Sequence, residues 1–199
     1  MRTVLTPNDT ILLNRGMGWV KHVSIEKGYR DPNDFDCDDR IQAVALLSSW
    51  AKIEKDDGVF DFTDLDDAAK TYSEAGKEIH LRISTDPMIY RNEACAVPDW
   101  LFDRYNVTYQ TKMIYGIPAR FPDYLDTTYL EKVHRFVDAL CTRYASVKNV
   151  VQLDLRGYGE WGEWHSGYMH DYIETHMRAL QGIIRTWDEA CAGRLPLVL

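Results

Sequence analysis

Two carboxylates, two indoles and an imidazole stand together in Gly157-Tyr158-Gly159-Glu160-Trp161-Gly162-Glu163-Trp164-His165, directly after the strand-like run Val150-Val151-Gln152-Leu153-Asp154-Leu155. An apolar neighbour such as an indole disfavours the ionised form of a carboxyl group, which can then hold a proton at neutral pH and deliver it. Flat indole faces pack against sugar rings. Paired carboxyl groups with stacking aromatics are what cleavage of a glycosidic bond requires, so the run points at carbohydrate. Glu160 and Glu163 are the two carboxylates of the run; for either, a surface carboxylate or a partner of Arg156 is the structural alternative. Trp161 and Trp164 are expected to stack on sugar, because a short polar loop gives them little core to fill, and His165 joins them as a substrate contact.

These residues need a scaffold, and the chain alternates strand-like and helical patterns, the sequence form of βα units around a parallel sheet. Strands are expected around Gly16–Val20, Ile41–Leu47, Glu78–Ile83, Val150–Leu155 and Leu195–Leu199. Helices are expected from Thr63 as N-cap to Gly76, with Leu65, Ala68, Ala69 and Tyr72 on one face, and over Thr128–Tyr144, with Val133, Phe136, Val137 and Leu140. A third, about Tyr172–Ala190, carries Ile173, Met177, Leu180 and Ile184 as its apolar stripe. Between Ser84 and Asp126, four prolines and many aromatics read as a long, ordered, irregular loop. In a βα repeat, chemistry sits at the carboxyl ends of the strands. Trp19, Trp50 and Arg82, read as lying at the ends of the first three strands, are therefore candidate sugar contacts. The competing structural readings are core packing for the tryptophans and an ion pair with Asp154 or Glu54 for Arg82.

Composition narrows the function classes. Lys and Arg number 23 against 31 Asp and Glu, a net charge of -8, which argues against nucleic acid or an anionic membrane surface as partner. Cys37, Cys95, Cys141 and Cys191 are far apart, without metal-ligand spacing, and permit disulfides without implying them. The first residues lack the apolar stretch of a signal peptide, and no run of about 18 apolar residues occurs, so a soluble protein is expected with its compartment open. No phosphate-cradling glycine motif or nucleophile elbow is present, and no cofactor is expected. His165, His170, Asp171, Glu174 and His176 lack an HExxH pattern, and the acidic run 31–39 lacks the glycine and closing glutamate of a calcium loop, so no metal is expected.

Several segments carry a family resemblance. Trp50-Ala51-Lys52-Ile53-Glu54-Lys55-Asp56-Asp57-Gly58-Val59-Phe60-Asp61-Phe62-Thr63-Asp64-Leu65-Asp66 resembles the stretch after the second strand in clan-A glycoside hydrolases, the barrel group that includes bacterial β-galactosidases, with Lys55 replacing the usual proline. Asn14-Arg15-Gly16-Met17-Gly18-Trp19 resembles the opening of a set of glycosidase-like barrels, with Arg15 replacing proline. Gly76-Lys77 with Arg82, Val97-Pro98-Asp99-Trp100-Leu101 and the Glu-Trp run agree in order. The resemblance implies a (β/α)8 TIM barrel, with an acid/base glutamate after the fourth strand and a nucleophile after the seventh. It thus implies Glu163 or Glu160 as acid/base, with Glu163, flanked by Trp164 and His165, the favoured proton donor and Glu160 the alternative, although Gly157-Tyr158 stands where that clan has Asn-Glu.

The chain, read as one domain over residues 1–199, has only about five strands of such a barrel. It is expected to be the N-terminal part of a longer protein, inactive alone, or to pair with another copy as a homo-oligomer. The function expected is hydrolysis of O-glycosidic bonds in an oligo- or polysaccharide, the second carboxylate lying outside these residues. A non-catalytic carbohydrate-binding barrel is the main alternative, and a metal-dependent hydrolase using His165 and His170 a third.

Overall fold

The structure is a computed structural model that describes residues 18–25, 41–86, 95–114, 116–159, 162–164 and 173–199. Five parallel strands form the central sheet: β1 (Trp19–Ser24), β2 (Ile41–Ser49), β5 (Glu78–Ser84), β8 (Val150–Asp154) and β9 (Leu197–Val198). They pair in chain order, β1-β2-β5-β8-β9, as successive staves of a barrel do. Alternation decides which residues face inward. On β5, Ile79, Leu81 and Ile83 are buried against the helical layer, while His80 and Arg82 lie on the opposite, inner face.

Between the staves run α1 (Trp50–Ile53), the short hairpin β3 (Glu54–Asp56) and β4 (Val59–Phe60), then α2 (Thr63–Glu74). After β5 come α3 (Asp99–Tyr105) and the antiparallel pair β6 (Tyr109–Ile114) and β7 (Ile117–Pro122); α4 (Thr127–Tyr144) precedes β8 and α5 (Ile173–Cys191) follows it. α2 starts with Asp64 and Asp66 in its first turn, where the helix dipole favours negative charge, and the chain leaves it through Gly76 at φ +75°. α4 is capped by Asp126, whose side chain accepts from the backbone N–H groups of Thr128 (2.8 Å) and Tyr129 (3.1 Å). Leu65, Ala68, Ala69 and Tyr72 of α2 and Val133, Phe136, Val137 and Leu140 of α4 enter one core with the outer residues of the sheet, as their spacing predicts. No helix among the described residues is long and apolar enough to cross a membrane.

Four expectations are corrected. The first strand is Trp19–Ser24, so Trp19 opens it at the end away from the strands' carboxyl edge and is 75% exposed. Trp50 turns off β2 into α1 and is fully buried against Trp100, Tyr129 and Phe136. The stretch between Ser84 and Asp126 contains a helix and a hairpin, and its aromatics Trp100, Phe102, Phe121 and Tyr124 are core. On α5 the buried face is Ala179, Ile183, Trp187, Ala190 and Cys191, about a quarter turn from the stripe expected, and Ile173, Met177 and Ile184 are exposed.

Candidate active site at the carboxyl edge of the sheet

Arg82, near the carboxyl end of β5, is the hub of the inner face. Its Nε lies 2.6 Å from Oδ2 of Asp154 on neighbouring β8, ionic in distance although off the N–H axis, and its Nη2 lies 3.8 Å from Oε1 of Glu163. Its Nη1 lies 3.1 Å from Nε2 of His22 on β1. A guanidinium has no acceptor, so that ring nitrogen accepts and His22 is the neutral Nδ1–H tautomer. Burial and the charge of Arg82 agree with this assignment, since both lower the His22 pKa. Arg156 repeats the pattern from the next turn, with Nη1 3.8 Å from Asp154 and Nη2 4.0 Å from Glu163. Two arginines therefore bridge two carboxylates. Burial, opposed by Arg82 and reinforced by the Glu163 charge, raises the Asp154 pKa from its ordinary value. Below them a cavity of about 300 Å³ opens on the inner face, lined by His22, Ala45, His80, Arg82, Gln152 and Asp154. Val20, Val198 and Leu199 also line it, so the polar side chains that could meet hydroxyl groups or water stand among apolar ones.

The loop that carries Glu163 folds back on its own strand. The Trp164 indole Nε1 donates to the Leu155 carbonyl (2.9 Å), the Trp164 N–H to Tyr158 O (3.0 Å) and the Gly162 N–H to Gly159 O (3.2 Å). Trp164 packs parallel to the Tyr158 ring at 6.2 Å. Tyr158 is buried, its hydroxyl 2.6 Å from Nδ1 of His176 on α5, and burial pushes its pKa up to about 12. The turn after β5 is tied to the same loop, because both the N–H and the hydroxyl of Thr85 donate to Arg156 O (3.0 and 3.2 Å). Glu163 is exposed at the end of this construction, its side chain 48% accessible.

Glu163 and Arg82 are thus brought together, and Asp154, anticipated only as an ion-pair partner, joins them. Trp164 lies beside Glu163 with its indole nitrogen committed to the loop and its ring half-buried against the core. Trp50 and Trp19 are not in the group: Trp50 donates from Nε1 to the buried Glu54 carboxylate (2.6 Å), and Trp19 is at the opposite edge. Glu160, Trp161 and His165 lie outside the described residues, as do Asn14–Met17, Cys37, His170, Asp171 and the acidic run 31–39. Sequence reasoning passed over Asp86, a fully buried acid just past β5; the polar run Ser84-Thr85-Asp86 at a strand's carboxyl end was the available signal.

A sequential parallel sheet with ionisable groups gathered at its carboxyl edge is the arrangement of a glycosidase-type barrel, here represented by five strands. Residues 38–187 match glycoside hydrolase family 42, described as β-galactosidase, and the chain belongs to that family. No curated protein matches the chain. Among solved structures, the β-galactosidase from the psychrophilic Marinomonas ef1 is 21% identical with a TM-score of 0.53, covering 74% of this chain and 22% of that one. Endo-glycoceramidase II from Rhodococcus sp., in its cellobiose-like isofagomine complex, is 19% identical with a TM-score of 0.56, covering 78% of this chain and 40% of that one. Xylanase B from Clostridium stercorarium F9 is 12% identical with a TM-score of 0.51, covering 89% and 50%. At these identities the likeness is one of fold. The chain spans half or less of the length of each of these structures.

Proposed function

We propose that this chain supplies the acid/base side of a glycoside hydrolase barrel, with Glu163 as the group that protonates the departing glycosidic oxygen. The observation that carries the reading is the station of Glu163: exposed on the loop after the fourth stave, at the carboxyl edge of the sheet above the inner-face cavity. Arg82, Asp154 and His22 offer donors and acceptors to sugar hydroxyls, and they are held by one another before substrate arrives. Trp164, next to Glu163 and half-buried against the core, offers an apolar surface beside the site. Hydrolysis needs a second carboxylate, about 5–5.5 Å from the first for retention or 6.5–9.5 Å for inversion. By resemblance to the clan, it is expected after the seventh strand of the barrel. Family membership makes a β-galactoside the first substrate to try.

The test is release of aglycone and reducing sugar from a panel of aryl glycosides, β-galactoside included, by the full-length protein. Turnover of at least one member supports the reading. Saturable binding of sugar without any released product overturns it in favour of a carbohydrate-binding barrel.

A further inference from the structure

The glycosidase reading leaves Asp86 without a role. Its carboxyl is fully buried, and although the Gly162 N–H and the Ser84 hydroxyl stand beside it, neither oxygen reaches strict hydrogen-bond geometry with them. Such a group is costly to keep, so its surroundings bear on why it is there. Gly162 lies against it. A Cβ built on Gly162 would stand 2.8 Å from Asp86 Oδ1 and 2.9 Å from both the Cα and the carbonyl carbon of Arg156, and Gly162 has φ +67°. Backbone alone fits in that gap, in a conformation that favours glycine. The residue after Gly162 is Glu163. The residue before Asp86, Thr85, is bound twice to Arg156 O, so the far wall of the gap is fixed to the near one.

We propose that Asp86 is the positioning residue of Glu163: its carboxyl is the floor on which the Gly162 turn rests, and through that turn it sets where the Glu163 carboxyl stands over Arg82 and Arg156. The proposal rests on the reading of Glu163 as proton donor. The titratable groups facing Asp86 among the described residues are Glu163 from the loop, Tyr124 and Tyr129 from the start of α4 and its approach, and Cys95, with the Ser84 hydroxyl and the Gly162 N–H beside them. None is a cation. Burial raises its pKa well above the ordinary carboxylate value, with the Gly162 N–H and the Ser84 hydroxyl acting against it and the Glu163 charge adding to it.

Asparagine keeps that shape without a titrating proton, and alanine removes it. In the full-length protein, Asp86→Asn should keep kcat within about threefold, whereas Asp86→Ala should lower kcat by about 10- to 100-fold with KM changed by less than about threefold, as a misplaced catalytic group does. Deuterium uptake of the peptide spanning residues 157–164 should rise in Asp86→Ala and return to normal in Asp86→Asn, with uptake in β2 and β5 unchanged. If Asp86→Ala does not fold, Gly162→Ala displaces the same contact from the other side and should show the same loss in kcat and the same local uptake. Wild-type kcat and loop uptake in the variant that folds overturn the proposal, as does an Asn variant as impaired as Ala. Should the intact protein turn over no glycoside, the functional reading fails on its own and the exchange measurement still decides whether Asp86 holds the loop.

Discussion

Replacing Arg135 by methionine tests how the segment after the second stave is held. Glu54, at the start of β3, is a fully buried carboxylate that accepts from Trp50 Nε1 at 2.6 Å, from the Gly58 N–H at 2.7 Å and from Arg135 of α4. The same guanidinium reaches Asp57 at 2.5 Å, and Lys132 and Tyr105 also donate to Asp57. Removing one partner of a buried ion pair costs about 3–5 kcal/mol, because the other is left as an uncompensated charge. Two neutral donors stay on Glu54 and the Arg135 side chain is 36% exposed, which reduces the expected loss to about 2–4 kcal/mol. Methionine retains most of the aliphatic stem, so lost packing adds little. Urea unfolding of wild type, Arg135→Met, Glu54→Gln and the double variant should give a double-variant cost about 1–2 kcal/mol below the sum of the singles. A single-variant loss under about 0.5 kcal/mol, or strict additivity, would refute the idea that this ionic cluster fastens the β3–β4 hairpin to α4.

Three more outcomes are expected. Gly157→Ala places a Cβ 2.7 Å from Ile183 Cγ2 and 3.0 Å from Trp187 Nε1, both buried on α5, and should cost about 1–3 kcal/mol in urea unfolding. Asp57 is held at about 2, burial acting against the donors Tyr105, Arg135 and Lys132 that prevail. A carboxylate with a lowered folded-state pKa stabilises above its unfolded value, so about 1–2 kcal/mol should disappear as pH falls from about 4 through 2, and Asp57→Asn should flatten that limb of the stability curve. Arg82→Met removes a charge that lowers the His22 pKa, so the His22 ring should titrate at higher pH by NMR, and kcat/KM should fall about 100-fold.

What the sequence made legible follows the periodicity of its apolar residues. β2, β5, β8 and the inner faces of α2 and α4 were readable because Val44 and Leu46, Ile79, Leu81 and Ile83, and Val133, Phe136, Val137 and Leu140 recur at strand or helix spacing. α5 misled because it has two apolar flanks, and the one that packs uses small residues, Ala179, Ala190 and Cys191, beside Ile183 and Trp187. Trp50 misled for a different reason. A tryptophan after a strand can turn inward or outward, and the Ser49 cap, whose hydroxyl oxygen accepts from the Lys52 N–H, starts α1 and sends it into the helical layer. The segment that most resembles the family, Trp50 to Asp66, accordingly serves packing and ion pairing in the fold. Asp86 follows its strand with no motif around it, and only the contact with Gly162, distant in sequence, gives it meaning.

The central claim is that Glu163 delivers the proton to the leaving oxygen, and leaving-group dependence tests it most directly. In the full-length protein, Glu163→Gln should lose about 10²- to 10⁴-fold in turnover of a glycoside whose leaving group needs protonation, such as an alkyl glycoside. It should keep turnover within about tenfold on a dinitrophenyl glycoside of the same sugar, whose aglycone departs as a stable anion. Equal losses on the two substrates, or no loss on either, would contradict the assignment.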